Sequence, residues 1–282
     1  MNSSTNLKRR DFLQTTLGFA AAAAAANPLR LLAQEKKKIQ IAVQLYAVQT
    51  AFAQDVPGTL KRLGEMGFQA VEFWGYNGTP NVYRNYSAAD LKKMLDDANL
   101  KCCGFHCSTT ALEDANLSRT VENSQTLGND LLNIAQTNVS SVDLIKKFAD
   151  FLNQVTDKFK DKKMRAGYHA HGQDFRKIDG EMAYERLFKQ VNKDVNMQID
   201  IGHALEENVD PVPIFKQFPG RSTSIHFRET GKYTFETPAY KEIFDVLANV
   251  AATKWYIIEY ERSGFRIEDP QQALVKLRGL GM

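Results

Sequence analysis

From residue 39 onward, apolar side chains follow two alternating rhythms. Short runs are either apolar at every second position or apolar throughout. Longer stretches between them repeat an apolar residue every three or four positions. The first rhythm is that of a strand and the second that of an amphipathic helix. The short runs are Ile39–Gln44, Ala70–Trp74, Lys101–His106, Asp130–Ala135, Arg165–His169, Met197–Ile201, Ser222–Phe227 and Trp255–Tyr260. Helical stretches cover Val56–Met66, Ala88–Ala98, Val142–Phe159, Pro211–Gln217, Pro238–Val250 and Pro270–Arg278. Ser87 is placed to cap the second of these, and proline opens three of them, where its missing N–H has no helical partner to lose. Strand and helix units recurring about every 30 residues have the rhythm of a closed parallel barrel, so the pattern predicts a single α/β domain, a (β/α)8 TIM barrel over residues 36–282. An open doubly wound sheet is the competing arrangement, but no glycine fingerprint follows the first strand.

Residues 1–35 break the rhythm. Lys8-Arg9-Arg10-Asp11-Phe12-Leu13 leads into the weakly apolar run Leu17–Ala26, and Asn27-Pro28 ends any helix there. The stretch resembles a twin-arginine export signal, S/T-R-R-x-F-L-K, with Lys8 and Gln14 departing at its outer positions. It implies cleavage after Ala26 or Ala33, recognition by the twin-arginine export machinery, and a periplasmic or otherwise exported destination.

Charge narrows the partners. With 36 basic against 33 acidic residues the net charge is only +3, too weak a field to hold a nucleic acid. After residue 40 no apolar run approaches the roughly 20 residues of a membrane span, so a soluble mature chain is expected. The three cysteines, Cys102, Cys103 and Cys107, crowd into one strand, where bridging geometry is poor; they read as small buried apolar side chains.

Strand parity then locates the chemistry. If Val71 and Phe73 face the helices, Glu72 and Trp74 face inward. By the same rule Asp200, His226, Arg228 and Glu259 point into the barrel, His169 shares a face with His171, and Gln44 and His106 end the first and third strands. All five histidines, His106, His169, His171, His203 and His226, fall at or just after the carboxyl end of a strand. In a barrel that end carries the active site. One histidine there reads as a satisfied structural donor. Five, beside Glu72, Asp200 and Glu259, concentrate more buried ionisable groups than a pocket tolerates without a cation or a ligand. Imidazole and carboxylate donors suit one divalent ion such as manganese, zinc, cobalt or magnesium.

At these residues the chain resembles the sugar phosphate isomerase/epimerase family with the xylose-isomerase-like barrel. The likeness runs from IAVQLYAVQ and GFQAVEFWGY through YHAHGQDF, similar to the family's Y-H-N-H-x-x-E-F, to DIGHALEENVDP, SIHFRE and YIIEYE, and ends in the Pro270–Leu280 helix. It implies a metal held by residues of the fifth to eighth strands: His169, Asp200, His226 and Glu259. His169 stands where related epimerases and dehydratases have a glutamate. Ala170, Asp174 and the loss of a glycine-rich loop after the HFRE segment are lesser departures. Family epimerases work with two opposed glutamates, of which only Glu259 remains. The second proton-handling group implied is His171, where related dehydratases carry a histidine. Glu72, Trp74, His106, His203 and Arg228 are then expected to face the substrate.

The expected activity is isomerisation or epimerisation of a sugar or keto-sugar, by removal of a proton next to a metal-polarised carbonyl or hydroxyl. A keto-sugar lyase or hydratase on the same centre, and a sugar-binding protein without catalysis, are the alternatives. A phosphodiesterase resembling endonuclease IV shares the Asp200-x-x-His203 segment but needs a histidine on the second strand and an Asp-x-His after the seventh, neither of which this chain has.

Overall fold

The computed structural model describes residues 40–261, 264 and 266–282. The expected export segment, residues 1–35, lies outside them. Eight parallel strands form the barrel wall: β1 (Gln40–Gln44), β2 (Ala70–Tyr76), β3 (Lys101–Cys107), β4 (Leu131–Ile134), β5 (Arg165–Ala170), β6 (Asn196–Ile199), β7 (Ser224–Phe227) and β8 (Trp255–Ile258). Each is followed by a helix: α1 (Val56–Met66), α2 (Ala88–Asp97), α3 (Asp114–Thr126), α4 (Val142–Phe159), α5 (Ala183–Phe188), α6 (Val212–Gln217), α7 (Pro238–Asn249) and α8 (Glu268–Gly279). The expected (β/α)8 barrel is the fold. Among the described residues no helix is long and apolar enough to cross a membrane.

Local chemistry sets the helix ends. Asp55 caps α1 by accepting the Gly58 N–H at 3.0 Å, and Gly67 stops it in a left-handed conformation. Ser87 and Asp90 form a reciprocal capping box on α2, as the position of Ser87 predicts. Two helices escape the hydrophobic pattern. α3 buries only Leu117, Thr120, Val121 and Ser124, half of them polar, and α5 is six residues long, too short to show a period. Ile201, expected at the end of a strand, instead begins a short helix, Ile201–Glu206, because Asp200 turns the chain by accepting the His203 N–H at 2.8 Å.

The ladder runs β6-β5-β4-β3-β2-β1-β8-β7. Between β6 and β7 the wall closes through a single parallel bridge, Asp200 to His226, and a hydrogen bond from the Met197 N–H to the Arg221 carbonyl at 2.7 Å. Side chains reinforce this seam: Gln198 donates to Ser224 Oγ at 3.0 Å, and Thr223 Oγ1 donates to Asn196 Oδ1 at 2.7 Å.

Outward-facing strand residues such as Val71, Phe73, Phe105, Tyr168, Ile199, Ile225 and Tyr256 pack under the helices in one continuous apolar layer. Inside the barrel the amino end is apolar, a small cluster of Ala42, Ala70, Cys103 and Ile257 against which Trp255 packs. All three cysteines are free and buried. Burial pushes the thiol of Cys107 up to about 12, so it stays protonated and inert at neutral pH.

Above that cluster the interior turns polar, and two glycines make the room. Gly104 pairs with Glu72 across β2 and β3, and a Cβ at position 104 would lie 2.4 Å from Glu72 Oε1. At Gly167 a Cβ would lie 2.0 Å from Asn133 Oδ1. Gly104→Ala should therefore lower stability by about 1–3 kcal/mol through overpacking of a layer with no slack. Urea unfolding monitored by circular dichroism checks this; an unchanged midpoint would mean that Glu72 has another place to go.

Candidate active site

The polar interior is organised around one carboxylate. Glu72 is wholly buried on β2 and accepts hydrogen bonds from Gln44 Nε2 (2.9 Å), Gln198 Nε2 (3.0 Å), Asn133 Nδ2 (3.4 Å) and His226 Nε2 (2.5 Å). His106 Nε2 lies 3.2 Å from it. Burial alone would raise its pKa, but the charges of His106 and His226 and these donors outweigh burial and hold it at about 2. Glu72, expected to face the substrate, is here engaged wholly by protein donors. Its oxygens are saturated, and it supports the floor of the site.

Four side chains converge above that floor. His169 from β5, Asp200 after β6, His226 from β7 and Glu259 after β8 bring one donor atom each within 4.8 Å of one another, and all four are buried. They come from adjacent strands because each occupies the inward parity at the carboxyl end. His226 is shared: Nε2 is bound to Glu72, and Nδ1 lies 2.7 Å from Glu259 Oε2. Burial would lower its pKa, but Glu259 and Glu72 on either side raise it to about 10, so without a metal His226 is an imidazolium.

This quartet fits a divalent ion on three counts. Both ring nitrogens of His169 are buried without a hydrogen-bond partner, an orphaned donor–acceptor pair of the sort that a cation satisfies. Burial, with the neighbouring histidines, pulls its pKa well down, leaving a neutral ring with a free lone pair. Asp200 keeps capacity as well. Oδ1 accepts from the His203 N–H (2.8 Å) and Arg228 Nη1 (3.1 Å), whereas Oδ2 accepts only from Arg228 Nη1 (3.1 Å) and has a lone pair in reserve.

A second group stands further out: His171, His203 and Glu261, whose donor atoms also lie within 4.8 Å of one another. His203 Nε2 is 3.2 Å from Glu261 Oε2. Burial pulls the His203 pKa down, but the Glu261 and Asp200 carboxylates outweigh it and leave it raised. His171 is the opposite case. Burial, then His203, lower its pKa, and its Nδ1 has no partner. The His171 turn is fixed from below, with its N–H donated to Asp174 Oδ2 at 2.7 Å and the Tyr168 hydroxyl donated to Asp174 Oδ1 at 2.8 Å.

The remaining expected substrate residues divide. His106 stacks on His226 with ring centroids 4.9 Å apart, and its Nε2 donates to Gln198 Oε1 at 2.7 Å; it belongs to the wall of the quartet. Arg228 is only 4% exposed and is held by Asp200 and by Glu206 at 3.1 Å, so it has no free face for an anionic substrate group. Trp74 is half-buried at the carboxyl end of β2, among aromatic rings. Sequence reasoning passed over Gln198 and Glu261. Both share the inward parity of a neighbour it did select, Asp200 and Glu259, and that parity is the signal that finds them.

Residues 60–279 match the sequence model of the xylose isomerase-like TIM barrel family. No curated protein matches the chain. Among solved structures, a sugar phosphate isomerase/epimerase from Parabacteroides distasonis is similar with a TM-score of 0.75 at 18% identity, over 87% of this chain and 98% of that one. The 3-keto-D-glucoside 4-epimerase of E. coli has a TM-score of 0.61 at 17% identity, over 86% of this chain and 100% of its own. The IolI protein with a bound zinc atom has a TM-score of 0.62 at 13% identity, over 86% and 96% of the two chains. At these identities the likeness is one of fold.

The shared proton of His226 gives the metal-free protein a defined pH response. His226 rises from 6.5 to about 10 on folding, so its contribution to stability is whole below pH 6.5 and is lost as the pH climbs through about 10. Glu72 falls from 4.5 to about 2, so its contribution is whole above pH 4.5 and is lost as the pH drops through about 2. In chelator, the melting temperature should decline on the alkaline side, and His226→Gln should flatten that decline. A wild-type curve that rises from neutral pH to pH 10 would contradict the arrangement.

Proposed function

This chain belongs to the xylose isomerase-like TIM barrel family, and from that premise we propose that it is a metal-dependent sugar isomerase or epimerase acting on a neutral sugar or keto-sugar. The single observation that carries the reading is the quartet His169, Asp200, His226 and Glu259, with an orphaned neutral histidine facing two carboxylates. A divalent ion bound there would polarise a sugar oxygen and acidify the adjacent C–H.

The chain's own groups do the rest. Glu72 keeps the Nε2 proton of His226, which leaves Nδ1 as the atom turned toward Glu259 and the ligand position. Glu259 is then the group that would take a proton from carbon. His171, neutral and with an unpartnered Nδ1, is the second acceptor, and the His203–Glu261 pair beside it offers an onward path for the proton. Burial of the quartet would limit the access of water to the reacting carbon. The His171–His203–Glu261 group also supports a second reading, a lyase in which the outer histidines protonate a departing substituent.

One experiment separates these readings. The metal-loaded protein, incubated with a keto-sugar and aldose panel in deuterated water, should return sugar carrying solvent deuterium; an unsaturated or rehydrated product marks the lyase, and binding without either marks a non-catalytic protein. Glu259→Gln should lose about two or more orders of magnitude in exchange while keeping much of its metal. His171→Ala should slow exchange with metal content near normal. Full activity in both variants would remove the assignment.

We further propose export through the twin-arginine pathway, supported by Arg9-Arg10 and the alanine run after them. Replacing both arginines by lysine should leave full-length precursor in the cytoplasm, whereas unchanged secretion would exclude that route.

A further inference from the structure

One flank of the barrel mouth is aromatic in a way that the proton chemistry does not use. Tyr46 follows β1, Trp74 ends the inward series of β2, and Tyr83 comes from the loop between β2 and α2. All three are half-buried rather than sealed in the core. Their rings form a corner, with the Arg84 guanidinium over the Tyr83 ring at 5.4 Å. Trp74 and Tyr83 lie 5.3 Å apart at 47°, and Tyr46 meets Trp74 at 6.0 Å and 72°. Phe52 backs the corner from beneath at 5.8 Å from Trp74 and 4.7 Å from Tyr83.

The corner is held in place. Tyr83 sits in a tight turn closed by a bridge to Tyr86, with the Tyr86 N–H donated to the Tyr83 carbonyl at 2.9 Å. Arg84 inside that turn takes a positive φ of 49°, a conformation that non-glycine residues adopt at a cost, and its guanidinium is tied to the Ala53 carbonyl at 2.6 Å. The corner is also continuous with the quartet. The Tyr46 N–H is donated to Gln44 Oε1 (3.3 Å), Gln44 Nε2 to Glu72 Oε2 (2.9 Å), and Glu72 Oε2 holds His226. Trp74 stands two residues beyond Glu72 on β2, about 7 Å along an extended strand, and Tyr46 lies in the 3-10 turn that directly follows Gln44.

We infer that this aromatic corner is a subsite for a second sugar ring, and that the substrate is a glycoside or disaccharide rather than a free monosaccharide. The inference rests on the reading of the quartet as a sugar-processing centre. One ring of the substrate occupies the quartet, where only polar donors and acceptors meet it. The next ring places the apolar face made by its axial C–H bonds against Trp74 and Tyr83, with its equatorial hydroxyls turned to solvent. Aromatic faces suit such a ring because they gain contact area without demanding a hydrogen-bond pattern. Binding of that non-reacting ring also orients the reacting one, so a substrate lacking it would lose turnover as well as affinity.

The chain has two tryptophans, and Trp255 lies at the opposite, amino end of the barrel. In a Trp255→Phe background, Trp74 is therefore the sole tryptophan reporter. The test is titration of the metal-loaded full chain with cellobiose, maltose, lactose and trehalose, against glucose and galactose. Trp74 emission should shift with at least one disaccharide, at a Kd about tenfold below that of either monosaccharide. Calorimetry should show the preference fall to near unity in Trp74→Ala and in Tyr83→Ala, and persist in Trp74→Phe, which keeps a ring. Equal affinities for one and two rings, no disaccharide binding at all, or an undiminished preference in Trp74→Ala would overturn the subsite.

Deuterium exchange keeps the two readings apart. Monosaccharides that exchange as fast as disaccharides would leave the isomerase standing and remove the glycoside. A disaccharide preference without exchange into any sugar would do the reverse.

Discussion

The interior of this barrel depends on a carboxylate buried where water cannot reach it. An ionised Glu72 without partners would be among the costliest features a core can hold. The sequence supplies a cation, His226, and three side-chain amides, Gln44, Asn133 and Gln198, from three other strands. That requirement propagates. It demands glycine at position 104 and sets the tautomer of His226. It also substitutes a cross-barrel hydrogen-bond network for the layers of branched aliphatic side chains that ordinarily fill such a barrel. Only the amino end, with Ala42, Ala70, Cys103 and Ile257, is filled in the ordinary apolar manner.

The same network explains where the wall opens. Between β6 and β7 the backbone ladder gives way to a single bridge between Asp200 and His226, two members of the quartet. A complete ladder there would have carried β6 onward as a strand. Instead, Asp200 ends it by capping the Ile201–Glu206 helix, and this turns His203 toward Glu261. The candidate site thus lies at the seam, where the backbone is spared from pairing, and hydrogen bonds of Asn196 with Thr223 and of Gln198 with Ser224 hold the seam in its place.

Much of this was legible in the sequence, for physical reasons. Alternation along strands is obligatory once one face packs against helices, so the parity of Val71 and Phe73 fixed Glu72 inward, and that of Ile225 and Phe227 fixed His226. Alternation gives direction but not depth. Glu72 and Trp74 share a parity, yet one lies under the quartet, saturated, and the other at the rim, half-exposed. Depth depends on strand stagger, a property of the closed barrel and not of any one strand. For the same reason Arg228 was legible as inward but not as spoken for, since its partner Glu206 comes from a helix that exists only because Asp200 caps it. α3 stayed hidden because its buried face is half polar.

The exchange of a family glutamate for His169 has an electrostatic consequence that the geometry makes concrete. The proposed ligand set carries two negative charges, on Asp200 and Glu259, and two neutral imidazoles once His226 has yielded its Nδ1 proton. A divalent ion would make the four ligands and the ion neutral together, whereas a third carboxylate ligand would leave them negative; the ionised Glu72 behind His226 adds the same negative charge in both cases. The less negative centre would withdraw electron density more strongly from a sugar oxygen attached to the ion, and so acidify the neighbouring C–H further. Arg228 does not upset the count, because its charge is met by Glu206 as well as by Asp200. Greater acidity at carbon lessens the need for a strong base. A neutral histidine with a depressed pKa is a weaker base than most, and His171, the second proton acceptor we propose, is such a group. In the proposed reaction the two histidines of the YHAH segment would therefore be coupled in their effect: His169 as a ligand would sharpen the acid, so that His171 could serve as the base.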